Sequence, residues 1–177
     1  MTYICKMNSP VGPLTMASDG QSITGLWLEG QKYYAATLGG EAEEKNLPVF
    51  EKAKEWLDIY FQGKNPDFTP PLAPSGSEFR QAVWEILLGI DYAKFITYGD
   101  IAKALVAKQR DKGVSAQAVG GAVGHNPISI IIPCHRVIGS NGSLTGYAGG
   151  IDKKIALLKL EGADMDKLFI PKKGTAL

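Results

Sequence analysis

The hydrophobic positions change their period along the chain. Thr2–Met7, residues 12–17 and Ile23–Leu28 are short runs rich in Ile, Leu, Met, Thr and Trp, and Asp19-Gly20 is a hairpin signal between the last two. They predict three strands. From Pro48 onward Phe50, Ala53, Trp56, Leu57, Tyr60 and Phe61 recur at helical spacing, with Gly63 and Pro66 as stops. The run from Asn65 to Gly76 is dense in Pro and other breakers, which predicts a linker and a boundary between domains at 1–74 and 75–177.

Beyond the linker the pattern is helical. Ser75 and Glu78 have capping-box spacing ahead of the stripe Phe79, Val83, Ile86, Leu87 and Ile90. Thr97 is placed to cap a second helix from 98 to about 106, with Ile101 and Leu105 inward. After a charged connection at 107–114, Ser115 is placed to cap a third, Ala116–Gly124. In that third helix Ala116, Val119 and Val123 form one face and Gln117, Gly120, Gly121 and Gly124 the other. Two helices joined by a turn, the second with a nearly bare outer face, fit helix-turn-helix docking on DNA. Each interior Gly costs ~1 kcal/mol relative to Ala, so either a bulky partner or tight internal packing must favour the small residues. A last helix follows Gly149-Gly150, with Ile151, Ile155 and Leu158 inward and Gly162 as its stop.

Composition narrows the classes. The 177 residues suffice for one large domain or two small ones without staples. Cys5 and Cys134, with His125 and His135 as the two histidines, offer neither a disulfide framework nor zinc spacing, so no metal is expected. No basic-then-apolar leader opens the sequence, and no run reaches the ~18 to 20 apolar residues of a membrane span; a cytoplasmic protein with no membrane partner is expected. A net charge of +1 argues against binding a polyanion through global charge. Even so, Lys94, Lys103, Lys108, Arg110 and Lys112 precede Cys134, and Arg136, Lys153, Lys154 and Lys159 follow it.

The chemistry concentrates at Pro133-Cys134-His135-Arg136-Val137. The apolar run Ile128-Ser129-Ile130-Ile131-Ile132 before it predicts a buried strand ending at the thiol. A thiolate is the nucleophilic form of Cys, and an adjacent base raises its fraction. By themselves these two residues fit a buried Cys beside a hydrogen-bonded His more readily than a reactive thiol; the flanking residues shift that balance.

The run Gln117 to Ile128, continuing into Pro133-Cys134-His135-Arg136-Val137-Ile138-Gly139 and Gly142-Ser143-Leu144-Thr145-Gly146-Tyr147-Ala148-Gly149-Gly150, closely resembles the O6-alkylguanine-DNA alkyltransferases. The likeness extends in order and spacing from about Phe79 to Glu161, including Phe79-Arg80-Gln81-Ala82-Val83-Trp84 and Ile96-Thr97-Tyr98-Gly99. Residues 1–74 resemble that family's N-terminal domain in size and element order. The resemblance implies an α+β protein: a small N-terminal α/β (ribonuclease H-like) domain, then a mainly helical, winged helix-turn-helix-like domain carrying the active-site Cys.

It also implies an activity. The methyl or alkyl group on O6 of guanine, and on O4 of thymine, would pass irreversibly to Cys134, once per molecule, making the chain a single-turnover methylated-DNA–protein-cysteine S-methyltransferase that restores the base. His135 would take the thiol proton, Glu161 would orient the imidazole, and Tyr98 would donate to the departing guanine. Gln117 would fill the space of the flipped base, where most members carry an arginine. Asn126 would hinge the recognition helix to the active-site segment and satisfy turn amides, and Val123 would flank the purine. Carbonyls near Cys134 and Val137 would accept the guanine amine. Tyr147 would lie near O6, with backbone amides at Ala148 and Gly149 supplying contacts that a side-chain hydroxyl often makes.

The implied partner is double-stranded DNA containing O6-alkylguanine, bound in the minor groove by a monomer without cofactor. Lys108, Arg110 and Lys112 would offset the charge missing at Gln117. Read without the family, the residues also admit a noncatalytic alkylated-DNA-binding module or a Cys hydrolase.

Overall fold

The structure is a computed structural model that describes residues 1–109 and 113–172. Arg110 and Lys112 of the expected basic connection lie outside the described residues. The chain divides into two units, one of residues 1–75 with 127–131 and one of 76–126 with 132–177.

In the first unit the three predicted strands form as β1 (Thr2–Met7), β2 (Leu14–Ser18) and β3 (Ile23–Leu28). They join β4 (Ala42–Glu44) in a sheet of order β3-β2-β1-β4, antiparallel except for the β1–β4 pair. β2 is buried throughout, and α1 (Pro48–Phe61) packs on β2 and β3 through Phe50, Ala53, Leu57 and Tyr60. Pro48 stands at the start of that helix, where its missing N–H breaks no intrahelical bond. The β2–β3 turn closes where the Asp19 carboxylate accepts from the amides of Gln21 (2.9 Å) and Ser22 (2.7 Å), with Gly20 at φ +105°.

The run at 128–132 is not a strand. Ile128 makes one bridge to Leu26, Ser129 N donates to Leu26 O (2.9 Å), and the Ser129 hydroxyl lies 3.2 Å from Gln31 Oε1. The chain then turns through Ile130 at φ +70°. Ile131 N donates to Ser129 O and Cys134 N to Ile132 O, both at 2.8 Å, so tight local turns replace ladder bonds. Apolarity here reports burial, which a turn satisfies once its polar groups find partners.

The second unit holds α2 (Glu78–Leu88), α3 (Tyr98–Gln109), α4 (Ala116–Gly124) and α5 (Ile151–Glu161). A two-stranded parallel sheet, β5 (Ile96–Thr97) with β6 (Val137–Ile138), accompanies them. Ser77, rather than the expected Ser75, caps α2, accepting from Arg80 N at 3.3 Å. The caps of α3 and α4 fall where predicted. Thr97 Oγ1 accepts from Asp100 N (3.0 Å) while Asp100 accepts from Thr97 N (2.9 Å), and Ser115 accepts from Ala118 N (3.1 Å). Trp84 ties α2 to α4 by donating its indole N–H to Ala122 O at 2.8 Å, fully buried. No helix among the described residues is long and apolar enough to cross a membrane.

Gly25 shows how closely side-chain size is matched in the sheet. It lies two residues before Trp27, on the same face of β3. The Trp27 ring folds back so that a Cβ on Gly25 would meet it at 2.0 Å. Gly25→Ala is therefore expected to displace a fully buried indole and to destabilise the fold by ~1–3 kcal/mol, read as a lowered urea midpoint at unchanged slope.

Candidate active site

Cys134 opens a single 3-10 turn, Cys134–Arg136, that leads into β6. The turn follows from Pro133, whose carbonyl accepts from Arg136 N at 3.0 Å, and all three of its residues are buried. Burial pushes the thiol of Cys134 up from its ordinary range. A side-chain hydrogen bond with Asn126, the charge of Lys154 and the backbone amides of Cys134 and His135 work against that rise. Asn126 is itself buried and donates Nδ2 to Ile132 O at 2.8 Å, so it clasps the segment that delivers Cys134. Its side chain thus serves a carbonyl and the sulfur of the turn.

His135 is fully buried, with Nε2 2.5 Å from Glu161 Oε2. Glu161 ends α5, where Gly162 at φ +78° terminates the helix. Its other oxygen, Oε1, accepts from Arg136 Nε (2.8 Å) and Ala93 N (3.0 Å). Burial alone would raise the Glu161 carboxyl, but the hydrogen bonds and charges of His135 and Arg136 outweigh it and hold the pKa at about 2. Burial also lowers the pKa of His135, against the pull of Glu161, so the imidazole is neutral at neutral pH. A neutral ring whose Nε2 faces a carboxylate keeps its proton there and carries its lone pair on Nδ1. Arg136 adds a bond from Nη1 to Ile90 O (2.7 Å) and lies 5.7 Å from the Tyr92 ring.

The aromatic candidates are also placed. Tyr98, at the start of α3, donates its hydroxyl to Thr145 O at 3.2 Å, and burial with the nearby Cys134 pushes its pKa up to about 12. Tyr147 is buried, its hydroxyl has no hydrogen-bond partner among the described residues, and burial raises its pKa well above the ordinary value. Both phenols therefore remain protonated donors. Ala148 and Gly149 are half-buried beside Tyr147, whose carbonyl accepts from Gly150 N (2.9 Å).

On α4, Val119 and Val123 are buried while Gln117 and Gly121 are exposed. A Cβ added at Gly121 or Gly124 would meet nothing within 4 Å, and one at Gly120 would only graze Tyr98 at 4.0 Å. Packing among the described residues therefore does not explain Gly121 or Gly124, while Gly120 is buried.

Sequence reasoning missed Lys154, which reads as one more surface cation. It is 0% exposed, and its ammonium donates to Val137 O, Thr145 O (3.0 Å) and Gly146 O (3.2 Å). The Val137 carbonyl expected to await a guanine amine thus already holds one donor, and Cys134 O likewise accepts from Val137 N. Each carbonyl keeps a second lone pair. The only advance signal for Lys154 was its place on the inward stripe of α5, one position from Ile155 and three from Leu157.

Comparison with known proteins now bears on the site. Residues 2–74 match the model of the 6-O-methylguanine DNA methyltransferase ribonuclease-like domain, and residues 78–163 match that of its DNA-binding domain. A methylated-DNA–protein-cysteine methyltransferase of Haemophilus influenzae is 44% identical over 90% of this chain and 86% of its own. This chain belongs to that family. A Methanosarcina acetivorans methylated-DNA–protein-cysteine methyltransferase is 41% identical over 91% of this chain and 99% of its own. The crystal structure of Mycobacterium tuberculosis OGT in complex with DNA superposes with a TM-score of 0.79 at 40% identity, covering 94% of each chain. The α+β fold and its two-domain composition agree with the sequence expectation.

Burial lowers the pKa of Lys154 to about 8 from 10.5. Between those values the unfolded chain binds the proton and the folded one does not, so this group's contribution to stability rises with pH across that window. Lys154→Met is expected to remove that increment. The check is the stability difference between variant and wild type, measured by urea unfolding from about pH 7 to above pH 10.

Proposed function

We propose that the chain repairs DNA by taking the alkyl group from O6 of guanine, and from O4 of thymine, onto Cys134. One observation carries this reading: a buried thiol held by Asn126 adjoins a neutral imidazole whose far nitrogen is fixed by a buried carboxylate. Family membership supplies the substrate class, since the relatives are named for methylated DNA.

The chemistry follows from the groups. The thiol proton passes to His135 Nδ1, directly or through one water, and Glu161 stabilises the imidazolium that results. The sulfur attacks the alkyl carbon in line, a carbon–sulfur bond forms, and the carbon–oxygen bond breaks with its electron pair going to the guanine, which takes up one proton from water as the imidazolium gives one back to solvent. Tyr147, whose hydroxyl is uncommitted among the described residues, and Tyr98, once its hydroxyl turns from the Thr145 carbonyl, are protonated and donate hydrogen bonds as that negative charge develops. The thioether formed has no carbonyl for water to attack, so each molecule reacts once. A Cys hydrolase would turn over instead.

For the base to reach Cys134 it must leave the stack, at a few kcal/mol. The open glycine face of α4 admits the sugar-phosphate backbone closely in a minor groove, and exposed Gln117 replaces the flipped base by hydrogen bonding the orphaned partner. Gln117 brings no charge, so its binding energy depends less on salt than an arginine's would. Exposed Lys108, at the end of α3, is one cation placed to contact phosphate. Val123 flanks the purine, and Ala148 and Gly149 offer backbone amides. The protein acts as a monomer in the cytoplasm and needs no cofactor.

Incubation with an oligonucleotide containing O6-methylguanine, followed by intact and peptide mass measurement, is expected to find one methyl group on Cys134, saturating at one per protein. Turnover without an adduct, or binding without modification, would sink the proposal. Replacing His135 by Ala is expected to slow the transfer by about 10²–10⁴-fold. A separate test concerns α4. Gly121→Leu should leave thermal stability unchanged or raised by up to ~1 kcal/mol, because Leu is the better helix former and meets open space, yet abolish DNA binding. Retained affinity in a gel-shift titration would remove α4 as the docking face.

A further inference from the structure

The steps above make no use of the chain after Glu161, yet that chain is built into the active-site loop. After Gly162, Ala163 N donates to Leu158 O (3.0 Å) and a 3-10 turn spans Met165–Lys167. The chain then runs extended through Leu168 (φ −117°, ψ 147°). Phe169 forms a parallel bridge with Ser143: Leu144 N donates to Phe169 O (2.8 Å) and Phe169 N to Gly142 O (3.0 Å). The approach is so close that a Cβ on Gly142, at φ +87°, would lie 2.0 Å from Lys167 O. Leu168 packs against the cluster of Ile138, Leu144, Leu158 and Ala163. Meanwhile the Phe169 side chain is 49% exposed, so its backbone makes the connection.

The next residue along the loop is Thr145, whose carbonyl receives both the Tyr98 hydroxyl and the Lys154 ammonium, and Tyr147 lies two further on. We propose that Leu168 and Phe169 are positioning residues for alkyl transfer: the C-terminal segment straps the loop at 142–144, sets the height of Thr145 and Tyr147 over Cys134, and thereby restricts the size of alkyl group accepted. This inference rests on the proposed transfer reaction. The strap is held by backbone bonds, so it depends on the N–H at position 169 more than on the side chain there.

Phe169→Pro removes that N–H while the extended backbone of Leu168 remains compatible with a following proline. Phe169→Ala keeps it. In the full-length protein, hydrogen exchange at the Leu144 amide is expected to accelerate in Phe169→Pro and to stay at the wild-type rate in Phe169→Ala. Single-turnover methyl transfer should slow about fivefold in the proline variant, as when one hydrogen bond of roughly 1 kcal/mol is lost from the competent loop. The dissociation constant for DNA should be unchanged, and the ratio of benzyl to methyl transfer rates should rise as the loop loosens.

Unchanged Leu144 exchange, equal slowing in both variants, or a loss of DNA affinity that accounts for the slowing would overturn the strap. Should the proline variant fail to fold, Leu168→Ala, which withdraws the apolar anchor and keeps every backbone donor, is expected to raise the benzyl-to-methyl ratio, and an unchanged ratio overturns the proposal as well. Absence of any methyl transfer by the wild-type protein would defeat the proposed reaction itself, and exchange at Leu144 distinguishes that failure from failure of the strap.

Discussion

A buried carboxylate cannot be left alone, and much of the second unit is organised to accommodate one. Glu161 has its two oxygens occupied by the imidazole and guanidinium of adjacent residues, His135 and Arg136, and by a backbone amide from a distant stretch, Ala93. Removing any one donor would leave part of a charge desolvated, which costs more than the lost bond itself. This requirement fixes where α5 must end, how the Cys134–Arg136 turn is rotated, and where the chain after α2 must pass. Its ionisation stabilises the fold at neutral pH, a contribution lost as the pH falls from the ordinary carboxylate range towards about 2. The orientation of His135 is a by-product of that charge being satisfied.

Lys154 is the second buried charge and works differently. It is solvated by three backbone carbonyls rather than a counter-ion, so its partners are geometric and belong to β6 and the loop after it. A carboxylate thus organises the turn that carries Cys134, and an ammonium organises the loop after β6. The sulfur lies within the field of Lys154, while the neutral imidazole adds no charge of its own.

Much of the fold was legible in the chain because local and global preferences agree. The β-branched and aromatic runs became β1 and β3, and the caps at Thr97 and Ser115 sit where the residue types predict. β4 was not legible, because Ala42–Glu44 has no strand signature and is extended only by pairing with the edge of β1. The capping-box spacing of Ser75 to Glu78 pointed two residues upstream of Ser77, the cap that the helix uses. Residues 128–132 were read correctly as buried and wrongly as a strand, since no pattern announces a β-branched residue at φ +70°. At the site, the adjacency of Cys134 and His135 was visible in the sequence alone. The meeting of Glu161 with His135, 26 positions away, depended on a resemblance. Lys154 escaped notice because a lysine is fully buried only when a specific set of carbonyls encloses it, and that set lies in a loop.

For the proposed transfer to Cys134, burial of the thiol has a meaning specific to a protein that reacts once. Any small electrophile or oxidant that found the sulfur first would retire the molecule without a base having been restored. A thiol kept protonated inside the fold, beside a base that is neutral and already committed at its far nitrogen, ignores most of what diffuses past. Concealment of this kind sets how long an unused molecule remains fit for service.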